Sequence, residues 1–282
     1  MEKRIILITG ATSGVGKATA IELAKPENQL FLIARNKQKG EDLKKEILSS
    51  NLGANIEMLY ADLSLQNEIK NLVNNFKKKH NKLDVLINCA GLVSSERVET
   101  KEGIEQTLAV NYLSHYLLSH LLLEELKSSK QGRIINVASL IPPIAKINFK
   151  DVNNKKNYSG VRAYLQSKVA DVMFTYDLAE QLKSTSVTVN AVHPGVVKTN
   201  LGVETSKGLL QGFVRFCMSF IAITPEKSAE RVLYLINSND LSKITGKYFK
   251  GGQIPVKTNS FSYNLDNRNK LSELTKSLIG EQ

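Results

Sequence analysis

Apolar residues fall into short blocks separated by polar, amphipathic stretches. Six blocks stand out: residues 4–9 (RIILIT), 30–34 (LFLIA), 56–61 (IEMLYA), 84–90 (DVLINCA), 133–139 (RIINVAS) and 187–193 (VTVNAVH). Most are apolar throughout rather than alternating, the pattern of strands covered on both faces. Between them, residues 15–24, 37–50, 65–80, 103–127 and 160–183 place apolar positions at helical spacing. In the last stretch Ala163, Ala170, Phe174 and Leu178 recur seven and four residues apart. Pro26 closes the first, because proline cannot continue an interior helical turn. Strands alternating with helices require right-handed crossovers, which predicts an α/β fold, a doubly wound parallel sheet with helices on both faces. Ligands of such sheets bind at the carboxyl ends of the strands. The 282 residues suit one large domain, and no linker interrupts them before about residue 255. The expectation is a single domain over 1–255, followed by a polar, amphipathic extension, 256–282, that the pattern does not place.

Composition removes several function classes. Lys and Arg number 38 against 27 Asp and Glu, a net charge of +11. The lysines are spread over nearly every predicted helix, as in NKQKGEDLKKEI and NNFKKKHNKLD, and no nucleic-acid-binding motif accompanies them. The charge therefore reads as a solvated surface rather than a nucleic-acid site. No run of about 18 uncharged apolar residues forces a helix to span a bilayer. The chain enters its first strand pattern at once, without the signature of a signal peptide. Cys89 and Cys217 lie far apart, and neither they nor His80, His115, His120 and His193 show metal or redox spacing. A cytoplasmic protein without disulfides or metal is expected.

The stretch TGATSGVG (residues 9–16) follows a predicted strand and starts a predicted helix, the setting a dinucleotide-binding glycine turn needs. Gly10 permits the tight turn, Gly14 lets the backbone approach a pyrophosphate, and Gly16 lets the helix pack on the sheet. Unpaired N–H groups at the helix start would face the phosphates. The spacing T-G-x-x-x-G-x-G differs from the general G-x-G-x-x-G, and further motifs follow in order. Asp62-Leu63 ends the third strand and NCAG (88–91) follows the fourth. Asn111 lies in AVNYLSHY, Ser139 ends the fifth strand, and YLQSK supplies Tyr164 and Lys168. HPGVVKT (193–199) follows the sixth strand, and TGKYF lies near 245.

Together these motifs resemble the short-chain dehydrogenase/reductase family over roughly residues 4 to 250. The resemblance implies a Rossmann fold and a catalytic set of Asn111, Ser139, Tyr164 and Lys168. It also implies that Gly10, Thr12, Ser13, Gly14, Val15, Gly16, Arg35, Asp62, Leu63, Asn88, Ala90 and Gly91 bind a nicotinamide cofactor. Tyr164, Lys168, Pro194, Gly195, Val197 and Thr199 would complete the cofactor site. The one departure inside a motif, Cys89 where the family usually has asparagine, reads as a tolerated small residue.

The chemistry agrees with these residue types. Carbonyl reduction needs a hydride donor, a proton donor and polarisation of the carbonyl oxygen. A phenol ordinarily titrates near about 10, too high for a ready base at neutral pH, and a nearby ammonium favours the phenolate. Lys168 is four residues beyond Tyr164, on the same helix face. Ser139 would hydrogen-bond the substrate oxygen, and by resemblance Asn111 holds a water that relays protons to Lys168. Read singly, a Tyr–Lys pair is a solvated contact and a strand-end serine is a turn residue; their order across the motifs favours catalysis. Tyr158 makes no such pair, since Arg162 lies four residues on.

NAD enzymes of this fold place an acid at the end of the second strand to hold the ribose 2′-OH. Here Ala34 occupies that place and Arg35 follows, so NADP(H) is expected over NAD(H). Ser139 and Tyr164 stand 25 residues apart, and the segment between them resembles the branch containing retinol dehydrogenases. That implies a small-molecule apolar aldehyde, ketone or alcohol as substrate. Residues 200–224 are expected to form a substrate lid. Within it, 208–223 (GLLQGFVRFCMSFIAI) is a lipophilic wall, a helix at a membrane interface, or an ordinary core helix. A homo-oligomer and peripheral membrane contact remain open, as does the alternative of an NADP(H)-binding regulator with vestigial catalysis.

Overall fold

The protein is described from a computed structural model, which covers residues 3–196 and 223–280. Eight strands form one sheet in the order β3-β2-β1-β4-β5-β6-β7-β8. They are β1 (Arg4–Thr9), β2 (Asn28–Ala34), β3 (Asn55–Tyr60), β4 (Val85–Asn88), β5 (Arg133–Val137), β6 (Thr188–His193), β7 (Lys247–Lys250) and β8 (Pro255–Val256). All pairings are parallel except β7 with β8. The order reverses between β1 and β4, so a crevice opens at their carboxyl ends.

Side chains alternate between two apolar layers, which is why the central strands read as unbroken apolar runs. Ile6 and Ile8 of β1 face one layer with Leu23, Ile47 and Val232, contributed by helices α1 (Gly14–Leu23), α2 (Lys37–Ser50) and α8 (Pro225–Asn237). Leu7 faces the other, with Val73, Leu117 and Met173 from α3 (Gln66–Lys77), α5 (Ser114–Leu121) and α7 (Gly160–Gln181). Among the six strands marked by the sequence pattern the exception is β3, an edge strand whose residues are half-buried or exposed rather than covered on both faces.

One predicted feature differs, and one that the pattern left unplaced takes a position. The single helix expected over 103–127 is divided into α4 (Gln106–Leu108), a π-helical turn at Ala109–Leu113, α5, and α6 (Leu123–Lys127). Its start falls at Glu105, whose buried carboxylate accepts from the backbone N–H groups of Thr107 (2.9 Å) and Leu108 (2.8 Å). The C-terminal extension folds back on the sheet's helical layer as α9 (Ser260–Tyr263) and α10 (Leu265–Ile279). Leu271 and Ile279 enter the second core layer, Arg268 pairs with Asp177 of α7 (2.9 Å), and Thr275 shares a 2.6 Å hydrogen bond with Tyr112. The extension is polar along most of its length, and only this narrow stripe is buried, so its packing leaves a weak periodic signal.

Candidate active site

The crevice is a cleft of about 330 Å³ at the carboxyl ends of β1, β4, β5 and β6. One wall is the turn between β1 and α1, where Gly10, Ser13, Gly14, Val15 and Gly16 line the space. Gly10 is left-handed (φ 66°), and a Cβ on it would stand 2.8 Å from the Ala90 Cα. A Cβ on Gly16 would stand 2.3 Å from the Gly10 carbonyl oxygen, so only glycine lets α1 approach its own entry turn. Ser13 caps α1 in extended backbone without a side-chain cap bond, which leaves the first N–H groups of the helix to a ligand. These features fit a dinucleotide phosphate. Thr9 ties the turn to the next strand: its Oγ1 accepts from the N–H groups of Cys89 (2.8 Å) and Ala90 (2.9 Å).

The opposite wall brings together residues far apart in sequence. Ser139, just beyond β5, and Tyr164 and Lys168, on α7, all line the same cleft as the glycine turn. Ser159 starts α7 by accepting from the Arg162 N–H (3.5 Å). The Lys168 ammonium is buried, at 4% exposure, and donates to the Val137 carbonyl (2.7 Å) and to Asp171 Oδ2 (3.5 Å). Asn111 sits in the π-helical turn, behind the cleft rather than lining it. Its Nδ2 donates to Leu92 O (2.9 Å) and Ser167 Oγ (3.1 Å), and its Oδ1 accepts from the Leu92 N–H (2.8 Å). Both amide hydrogens are thereby used in holding the turn, and a π-turn of this kind is common at functional sites.

The remaining sequence-predicted residues fall in several places. Gly91, Pro194 and Gly195 line the cleft. Asn88 lies behind it inside the sheet, donating to Asn136 Oδ1 (2.8 Å) and Ser119 Oγ (3.0 Å). Thr12, Leu63 and Ala90 are not among the residues that line the cleft. Nor is Asp62, whose Oδ1 accepts from the Ser64 N–H (2.9 Å). Arg35 is exposed just past β2, where Asn36 caps α2. Val197, Thr199 and the expected lid up to residue 222 lie outside the described residues.

Several lining residues carried no chemical signal in the sequence. Val93, Val137, Leu140 and Val196 add an apolar lining to the cleft. Cys89 lines it too, and burial pushes its thiol up to about 12 against the opposing influence of Lys168. His193 reaches the cleft as a neutral imidazole: burial, reinforced by Arg231 and Lys250, pushes it down to about 4. Asp171 and His115, both fully buried, join Lys168 from behind. The spacing from Lys168 to Asp171 is i, i+3, a same-face relation visible in the sequence once Lys168 is singled out.

Comparison with known proteins bears on the family and the fold. The profile of the short chain dehydrogenase family matches residues 4–209. Retinol dehydrogenase 13 of Mus musculus is 36% identical over 252 residues, covering 88% of this chain and 75% of that protein. Retinol dehydrogenase 12 of Homo sapiens is 38% identical over 246 residues, covering 87% and 77%. Among solved structures, an uncharacterized protein from Mycobacterium Paratuberculosis superposes with a TM-score of 0.78 at 26% identity, covering 100% of this chain and 95% of that one. A metagenomic short-chain oxidoreductase in complex with NADP shares the fold, with a TM-score of 0.64 at 24% identity and coverage of 87% and 96%.

Proposed function

The chain belongs to the short chain dehydrogenase family, and from that premise we propose that it is an NADP(H)-dependent oxidoreductase interconverting an apolar aldehyde or ketone with its alcohol. The observation that carries the reading is the convergence of Ser139, Tyr164 and Lys168 on the cleft opened by the glycine turn. The nicotinamide, when bound, supplies or accepts the hydride. Tyr164 gives its phenolic proton to the substrate oxygen during reduction and takes one back during oxidation. Lys168, one helical turn on, sets a positive charge where negative charge forms on the phenol oxygen. Ser139 donates a hydrogen bond to the carbonyl oxygen as its charge develops. Asn111 shapes the π-turn with both amide hydrogens engaged, and from there would hold a water that relays protons to Lys168.

The preference for NADP(H) rests on β2 ending in Ala34 with the exposed Arg35 beyond it, followed by Lys37 and Lys39. A guanidinium there matches a 2′-phosphate, and no carboxylate repels it. Arg35→Ser should weaken NADPH about tenfold and leave NADH nearly unchanged, as read by cofactor titration. An equal loss for both cofactors would overturn the preference. The apolar lining of the cleft supports an apolar substrate, as does the likeness to relatives named retinol dehydrogenases.

The test is NADPH oxidation against carbonyls of increasing chain length. kcat/KM should rise about three- to fourfold for each methylene buried, the equivalent of about 0.8 kcal/mol. A flat series would remove the apolar-substrate reading. Tyr164→Phe should lower kcat by about a thousandfold while cofactor binding survives; undiminished turnover in that variant would sink the catalytic assignment.

A further inference from the structure

Behind Lys168, away from the cleft, the core closes over a pair of groups that the reaction as described does not use. Asp171 and His115 have no solvent exposure. The Asp171 carboxylate bridges two cations or donors: Oδ2 faces the Lys168 ammonium at 3.5 Å and Oδ1 faces His115 Nδ1 at 2.9 Å. On its far side, His115 Nε2 meets the Ala90 carbonyl oxygen at 3.0 Å.

The hydrogen positions follow from the acceptors. A carbonyl oxygen only accepts, so Nε2 carries a hydrogen and donates it to Ala90. A bare Nδ1 and a carboxylate oxygen, both acceptors, would repel at 2.9 Å, so a proton also lies between them. The pair thus holds one proton more than a carboxylate and a neutral imidazole carry separately. Neither side chain is exposed to solvent, and the fixed Ala90 carbonyl prevents the ring from offering Nε2 as an acceptor instead.

The surroundings isolate that proton. From α7, Lys168 is the charged neighbour, and Thr175 Oγ1 donates only to the Asp171 main-chain oxygen (2.9 Å). From the π-turn comes Tyr112, whose phenol burial pushes far up, with Asp171 adding to the shift. From the loop after β4 comes Cys89, pushed up to about 12 by burial. Neither Tyr112 nor Cys89 loses a proton near neutral pH.

We propose that Asp171 and His115 are positioning residues for Lys168, a buried brace that shares one proton and fixes where the lysine ammonium points. Of the three ammonium hydrogens, one goes to Val137 O and one toward Asp171, which leaves one for the cleft. A long, flexible lysine is thereby held to a single direction by groups on β5 and α7. The role in turnover rests on the oxidoreductase reading of Tyr164 and Lys168; the shared proton does not.

Asp171→Asn separates charge from shape. Its amide can donate to a neutral Nδ1 and offer its oxygen to Lys168, so packing and hydrogen bonds survive while the extra proton is lost. In ¹⁵N-histidine NMR of the wild-type protein at neutral pH, both ring nitrogens of His115 should be protonated or share a far-downfield proton with Asp171. Asp171→Asn should convert His115 to the neutral Nε2–H form and lower kcat about tenfold, with the carbonyl KM within about twofold. His115→Gln, which keeps a donor for Asp171 without the ring proton, should lower kcat in the same direction. A wild-type His115 with one bare ring nitrogen would overturn the proposal, as would wild-type kcat in a folded Asp171→Asn. Absent turnover in the wild type would count against the oxidoreductase reading alone, because the resonance is read without substrate.

Discussion

On the β1 side of the cleft, the turn from Gly10 to Gly16 works through missing side chains: the main chain itself forms the wall, and a Cβ at Gly16 would overlap a carbonyl oxygen. On the α7 side the wall is made of side chains, and the buried Asn111 and Lys168 there are held by named partners. Asn111 is held by Leu92 and Ser167, and Lys168 by Val137 and Asp171. A backbone-built wall fails when atoms are added. A side-chain-built wall fails when a partner is removed, because an unpaired polar group in the core keeps its full desolvation cost.

Adding one methyl group gives the largest expected break. Gly16→Ala must displace α1 from a backbone atom that cannot yield, so NADPH affinity should fall at least about a hundredfold, with a stability loss of about 2 kcal/mol. Cofactor titration and urea unfolding check both; an unaltered dissociation constant would mean the turn is not the phosphate site.

Acid should separate the walls next, through His193, which lines the cleft. Its native value of about 4 lies below the ordinary 6.5 of an unfolded histidine. Between those two values the unfolded chain binds more protons, so stability is complete above the upper one and is lost as pH falls toward the lower. The contribution at pH 4.5 relative to pH 7 is about 2 kcal/mol. Urea unfolding at the two pH values should show this loss in the wild type and a smaller one in His193→Gln. An identical pH slope in the variant would remove His193 from the account.

The smallest effect concerns the brace outside the side-chain wall, where α10 reaches the π-turn. Thr275→Val leaves the buried Tyr112 hydroxyl without its 2.6 Å partner, which should cost about 1 kcal/mol of stability and leave cofactor affinity unchanged. A matched loss of affinity would show that the two walls are coupled through the C-terminal helix.

Much of the backbone-built wall can be read directly from residue order. Alternating apolar and amphipathic blocks specify a covered parallel sheet, since a strand buried on both faces has no polar side to show. The glycine spacing of residues 10–16 specifies where the main chain must come close, since glycine's lack of a Cβ is a local property. Tyr164 and Lys168 are equally legible, because one helical turn relates them without reference to the rest of the fold. Long-range packing decided the rest. The π-turn at Ala109–Leu113 interrupts an otherwise helical pattern because Asn111 bonds the main chain of Leu92, on a different segment. Leu271 and Ile279 find a core only because α10 comes to rest against α7. Lys168, Asp171 and His115 converge through burial and hydrogen-bond geometry, which depend on three segments meeting in space, and no local periodicity records that meeting.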